Sequence, residues 1–275
     1  MTGRLDGDGD GDGVVSPVVA RTYLASRRAL RRLFVVLQAS FDGLWLGSLS
    51  RRTLHLVDDQ YYKGERQYTD EGYNRGGLWQ WEKAVVDEFF TGQRKVVVYG
   101  AGGGRELLAL ARLGHDVDGF ECNPRLVEFG NRFLAAEGRP ERIALAPRDA
   151  WPATSGTYDG VIVGWGSYML IQGRPQRVAF LRHAHSHMRP GSPILLSFFA
   201  RSGDNVHFRI VTTLANLVRR GRRRAPVEMG DALLPNYVHC FTREEVEAEL
   251  REGGFDMVHF EIGEYGLAVG RAADP

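Results

Sequence analysis

The chain reads as a doubly wound α/β protein: a mostly parallel seven-stranded sheet with helices on both faces, a helical lid ahead of it and a cap insertion after the fifth strand. Three observations predict this. Short apolar runs alternate with helix-period stretches between residues 95 and 271. The run Val96-Val97-Val98-Tyr99 breaks straight into Gly100-Ala101-Gly102-Gly103-Gly104 before Leu107, Leu108, Leu110 and Ala111 set up a helix. A second apolar run over 117–120 then closes on Glu121, 21 residues past Gly100.

Each part of that unit has a physical reason. Glycines at the turn let the backbone approach a ligand and expose N–H groups at a helix N-terminus, where partial positive charge favours an anion. An acidic residue at the carboxyl end of the neighbouring parallel strand comes within reach of ribose hydroxyls on a ligand lying across the crevice. A nucleoside is therefore expected. A dinucleotide turn wants G-x-G-x-x-G, but the last position here is Arg105 and the spacing present is G-x-G-x-G.

On these residues the chain resembles the class I, Rossmann-like S-adenosylmethionine-dependent methyltransferases, whose first motif is an apolar strand followed by G-x-G-x-G and whose second strand ends in an acid. The resemblance implies S-adenosyl-L-methionine as cofactor, with Gly100, Gly102 and Gly104 at its methionine portion, Glu121 at the ribose and Asp149 at the adenine. Tyr99, Ala101, Cys122, Asn123, Ala150, Gly164 and Trp165 are expected beside them.

Composition narrows the class. With 275 residues, 43% of them apolar and 25% charged, the chain can bury a real core. A net charge of +1 gives no general pull toward nucleic acid or membrane. Two cysteines, Cys122 and Cys240, make no disulfide framework and suit a reducing compartment. Residues 1–13 are polar and acidic where a signal peptide would be basic and then apolar, and no run of 18 apolar residues follows, so a cytoplasmic location is expected.

Taken in order, residues 1–16 alternate Asp6, Asp8, Asp10 and Asp12 with glycine and read as a disordered tail, since no bidentate Glu stands where a calcium loop needs one. Residues 17–93 form the lid region. Ser16-Pro17 opens a helix in which Arg27, Arg28, Arg31 and Arg32 accompany Leu24, Leu30, Leu33 and Phe34. Such a helix either packs on its own domain, the commoner case, or associates over 17–45 with a membrane surface. The stretch 58–77 is polar and strand-poor, reads as a long loop, and carries Tyr62, Tyr68 and Tyr73 as lid or pocket residues; a helix over 78–90 follows.

Within the domain 94–275, Asn123-Pro124 starts a helix, strands follow at 142–146 and 158–163, and the loop Gly164-Trp165-Gly166-Ser167-Tyr168 should border the acceptor. That loop holds neither the D/N-P-P-Y/F tetrapeptide of amino-purine methyltransferases nor the Asp of aminopropyltransferases. His183, His185 and His187 share one helix without the further ligands a zinc site needs, so no metal is expected. The insertion 201–240 ends in the cluster Arg219, Arg220, Arg222, Arg223 and Arg224, read as a solvated loop, and the insertion as a cap on the acceptor pocket. Thr242 and Glu245 make a capping box, and two alternating strands end the chain.

The function expected is methyl transfer to a small-molecule or peptide acceptor, preferably at oxygen because the amino-purine motif is missing, with N-methylation or a non-catalytic binding role as alternatives. Tyr62, Tyr68, Tyr73, Trp165, Tyr168 and Tyr237 are the candidate acceptor residues, and His239 and Tyr168 the candidate catalytic ones. No nucleic-acid partner is expected. A nicotinamide oxidoreductase would use a similar turn, against which Arg105 speaks.

Overall fold

The structure, a computed structural model, describes residues 17–203 and 205–274. The reading of 1–16 as a tail lies outside the described residues. Helix α1 (Pro17–Ser48) bends at Leu49-Ser50 into α2 (Arg51–Gly64), whose N-cap Ser50 accepts from the Thr53 N–H. A short 3₁₀ turn (Arg66–Thr69), α3 (Glu71–Arg75) and α4 (Gln80–Phe89) complete the N-terminal layer. The polar stretch read as a loop is thus mostly helical. Helix α2 begins ahead of that stretch and runs into it, and Arg51, His55 and Asp59, at i, i+4 spacing on one face of α2, find partners far along the chain.

The strands are β1 (Lys95–Tyr99), β2 (Asp116–Glu121), β3 (Ile143–Leu145), β4 (Gly160–Val163), β5 (Pro193–Phe198), β8 (Phe255–Ile262) and β9 (Gly266–Ala272), ordered β3-β2-β1-β4-β5-β9-β8 in one sheet. Within that sheet only β9 runs antiparallel to its neighbours. Helices α5 (Arg105–Arg112), α6 (Pro124–Ala136), α7 (Arg174–Ser186) and α9 (Arg243–Glu252) make the connections. Val96, Val97 and Val98 are fully buried, as a central parallel strand covered on both faces requires. The capping box of α9 forms as expected: the Glu245 N–H donates to Thr242 Oγ1, and the Thr242 N–H donates to Glu245 Oε2.

Register brings the site together. Tyr99 pairs with Phe120 and with Val163, so Gly100, Glu121 and Gly164 leave their strands side by side. Sheet order reverses between β1 and β4, which opens the crevice where ligands of such sheets bind.

The insertion 201–240 forms α8 (Val206–Gly221), where residues 206–218 carry a helical pattern, and a small hairpin of β6 (Asp231–Leu233) and β7 (Tyr237–His239) that the sequence reading did not contain. Helix α8 packs along the C-terminal half of α1, where a Cβ on Gly43 would come within 2.9 Å of the Val211 carbonyl and one on Gly47 within 2.8 Å of the Ala215 carbonyl. The arginine cluster is not a free loop: Arg219 donates to the Leu46 carbonyl, and Arg222 and Arg224 both donate to the Ser48 carbonyl, satisfying the open end of α1.

Candidate functional site

The turn after β1 is held first by backbone bonds. Gly100 and Ala101 N–H groups donate to the Phe120 carbonyl, and Gly104 closes on Ala101 as the left-handed N-cap of α5. Gly100 has φ +75° and Gly102 φ +54°. A Cβ at Gly100 would lie 2.0 Å from Ser167 Oγ, so the turn and the loop after β4 tolerate nothing between them. Gly164 is pinned by the same crowding: a Cβ there would meet the Gly100 carbonyl at 2.5 Å.

Glu121 answers this turn across the crevice. Its Oε2 accepts from the Gly102 N–H at 2.9 Å and its Oε1 from the Asn123 N–H at 2.8 Å. No cationic side chain pairs with it among the described residues. Burial therefore outweighs the backbone donors and pushes its carboxyl above the ordinary range.

Asp149 is the counterpart, in a left-handed conformation at φ +60°. Burial would raise its carboxyl, but His55 Nε2 at 2.8 Å and Arg51 at 2.9 Å on Oδ2 win and hold it below the ordinary value. Both partners come from α2. The same helix reaches Arg148, which bonds Asp58 and Asp59, while Asn236 donates to Asp58.

These groups enclose a cleft of about 730 Å³, mouth included. Its lining includes Tyr62 and Tyr68 from the lid, Tyr99, Gly100 and Gly102, Glu121, Cys122 and Asn123, Asp149, and Trp165, all singled out from sequence. Ala101, Tyr68 and Tyr73 line a narrow recess that continues the cleft under the turn, with Asn74 at its wall. Asn74 is 1% exposed; its amide donates to the Tyr68 and Asp70 carbonyls, and its Oδ1 has no partner among the described residues. Gly104 and Gly164 support this lining by packing, and Ala150 is exposed beyond Asp149.

Three expected site residues are elsewhere. Tyr168 is fully buried and donates to Glu249 Oε2 at 2.6 Å, which together with burial pushes its phenol well above the ordinary value. Tyr237 is buried with its hydroxyl donating to Asp231 Oδ1, and His239 Nδ1 lies 2.8 Å from that same oxygen. None of the three lines the cleft. Tyr168 opens a short 3₁₀ turn (Tyr168–Leu170) and its side chain enters the core, whereas Trp165 and Ser167 face the crevice. Among the described residues none of the 201–240 insertion lines the cleft either; Asn236 supports its wall by donating to Asp58.

Sequence reasoning gave no site role to Arg51, His55, Asp58, Asn74 or Arg148, whereas Ser167 lines the cleft in the loop expected to border it. The spacing of Arg51, His55, Asp58 and Tyr62 on one helical face was the available signal. His183, His185 and His187 bond three separate backbone carbonyls, those of Ala179, Ala273 and Gly156.

The strand order, the glycine turn and the acid at the end of β2 are together the class I S-adenosylmethionine-dependent methyltransferase fold. Solved structures agree. A methyltransferase of this dependence from Methanosarcina mazei superposes with TM-score 0.56 at 16% identity, over 72% of this chain and all of that one. An amino pentose methyltransferase from Micromonospora echinaspora, solved with S-adenosylmethionine bound, gives 0.53 at 17% identity over 78% of this chain and 96% of that one. The 1,6-didemethyltoxoflavin-N1-methyltransferase of Burkholderia thailandensis gives 0.53 at 18%, over 80% and 87%. No family model matches the chain, and no curated protein does.

Proposed function

We propose that the protein transfers a methyl group from S-adenosyl-L-methionine to a small-molecule or peptide acceptor. The observation that carries this is the pairing of a buried carboxylate without a cation, Glu121, with an open glycine turn on the same cleft. The Gly102 and Asn123 N–H groups each reach one of its oxygens, and a carboxylate oxygen accepts more than one hydrogen bond, so ribose hydroxyls can add to these donors. The residues suit the rest of the cofactor too. Asn74 Oδ1 is an unsatisfied acceptor beside Gly103, fitted to an ammonium, and all the bonds on Asp149 fall on Oδ2. Its Oδ1 remains for an exocyclic amine.

The cofactor supplies an electrophilic methyl on a sulfonium centre. The chain's own residues have to hold both partners in line and keep water out, which is the work of Tyr62, Tyr68 and the helices above the crevice. With His239 and Tyr168 behind the cleft, the carboxylates lining it are Asp58, Glu121 and Asp149, and Asp58 is engaged by Arg148 and Asn236. The acceptor must then bring a lone pair that needs little help. On the oxygen reading, preferred because Gly164–Tyr168 lacks the amide-holding tetrapeptide, this means a carboxylate or an acidic phenol. A neutral amine meets the same demand, and the relatives from Micromonospora and Burkholderia, named for an amino sugar and a ring nitrogen, favour it as the second reading.

Calorimetric titration with S-adenosylmethionine, S-adenosylhomocysteine and NAD tests the proposal. Both sulfur nucleosides should bind and Glu121→Ala should weaken them while NAD gives no heat. A folded protein that binds none of them overturns the enzyme reading and leaves a partner-binding role.

A further inference from the structure

Helix α1 is the least covered of the described elements. Every residue from 19 to 34 is exposed, so more than four turns of helix stand clear of the other described elements. An isolated helix of that length is marginal in water, and its stability has to come from whatever lies against it. At 100° per residue, Tyr23, Leu30, Phe34, Leu37, Phe41 and Leu44 fall within about 80° of one another and form a stripe about 32 Å long. Each is 47–62% exposed. Arg21, Arg28 and Arg32 occupy the opposite side, the side that Ala39, Gly43 and Leu46 turn toward α8 further along, and Arg27 and Arg31 flank one edge of the stripe. The apolar stripe therefore points away from the body of the protein.

Charge says what covers it. Residues 17–48 and 206–224 together carry eleven arginines against one acid, Asp42, a net +10 in a chain whose total is +1. A second copy brought stripe to stripe would set two such charges side by side. No described helix is long and apolar enough to cross a membrane by itself. A helix with a continuous apolar face, an arginine-rich opposite face and too many charges to insert across a bilayer is suited to lie in its headgroup region, and basic residues nearby draw it to anionic lipid.

We propose that α1, flanked by the Arg219–Arg224 cluster at its C-terminal end, docks the protein on an anionic membrane surface. The stripe enters the interface and the arginines provide the electrostatic attraction. Because α1 turns into the lid helix α2 across two residues, a docked α1 would hold the cleft close to that surface.

The full chain should be sedimented with phosphatidylcholine vesicles, with and without about 30% phosphatidylserine. It is expected to bind the anionic vesicles at least about tenfold more tightly than the neutral ones, and to lose most of that binding as salt shortens the screening length. The double variant Phe34→Glu, Leu37→Glu should abolish binding, and Arg28→Ala, Arg31→Ala should weaken it about tenfold or more. All four positions are exposed, so an unchanged thermal unfolding curve separates lost docking from lost folding. Failure to sediment, or equal sedimentation with neutral vesicles, overturns the proposal. A dimer in vesicle-free solution that dissociates in the Phe34→Glu variant and does not sediment would give the stripe to a second copy instead.

Discussion

Two regions of this molecule are equally rich in polar side chains, and they are built to opposite ends. One is the cleft around Glu121 and Asp149. The other lies behind the loop after β4, where Arg177 bonds Glu249 through Nε and through its terminal nitrogen at 2.7 Å and reaches Glu228 at 2.8 Å. There Tyr168 joins Glu249, and Tyr237 and His239 share Asp231. In that network the charges are paired; Arg177 and Glu249 are each 1% exposed. In the cleft, among the described residues, Glu121 has no cation and Asn74 Oδ1 no donor. The network's one buried side-chain atom without a partner among the described residues is His239 Nε2, enclosed away from the cleft, whereas Glu121 and Asn74 Oδ1 stand on the cleft and its recess, where something from outside can reach them. Titratable groups in a familiar motif do not tell these regions apart; whether the open groups face a cavity does.

The sharpest way to break this comparison is to cut the network. Arg177→Met leaves Glu249 buried without its cation and should cost about 3–5 kcal/mol in chemical denaturation. Its effect on nucleoside affinity, once folded, should be small; a large specific loss of affinity would make the network part of the site. The reverse is expected of Glu121→Gln, which keeps shape and removes charge. Stability should hold, because burial already disfavours that charge, while S-adenosylhomocysteine binding falls roughly tenfold to a hundredfold by calorimetry.

Acidity sharpens the same difference inside the cleft. The Glu121 carboxyl is raised above its usual 4.5, so as pH falls it takes its proton earlier than an unfolded glutamate would, and the ribose loses an ionised acceptor there. Asp149, lowered from 3.8, keeps its charge, and the stability its pairing contributes is lost only as pH falls through that depressed value. Nucleoside affinity should therefore decline on acidification before the Asp149 pairing is lost, and Glu121→Gln should remove that decline. The smallest expected effect is that of Tyr168→Phe. Losing one buried hydroxyl bond should lower stability by about 1 kcal/mol and leave affinity within error.

What the sequence made legible was local. The run from Val96 to Gly104, the acid 21 residues on and the capping box at Thr242 are short-range patterns, and backbone geometry fixes their outcome. The doubly wound class followed from their alternation. What it hid depends on contacts across long separations. Arg51 and His55 meet Asp149 over more than 90 residues, and nothing near either end announces the pairing. Tyr168 and His239 misled for a related reason. Position after a strand or in a familiar tetrapeptide places a Cα near the crevice but leaves the direction of the side chain to packing, and both packed inward.

Arg105 carries one more consequence. It stands where a dinucleotide turn would have its last glycine, and it is 3% exposed. Its guanidinium grips both oxygens of Glu82 at 2.6 Å, takes the Gly77 carbonyl at 2.9 Å, and lies 4.3 Å over the Trp79 ring. The start of α5 is thereby riveted to the start of α4, and peeling that corner apart would strand a charge in the interior. On the other flank α2 is held by the ion pairs Arg51–Asp149, Arg148–Asp58 and Arg148–Asp59, and the tyrosines by contacts between their rings. The residue that changes the turn's signature thus also fixes one side of the roof.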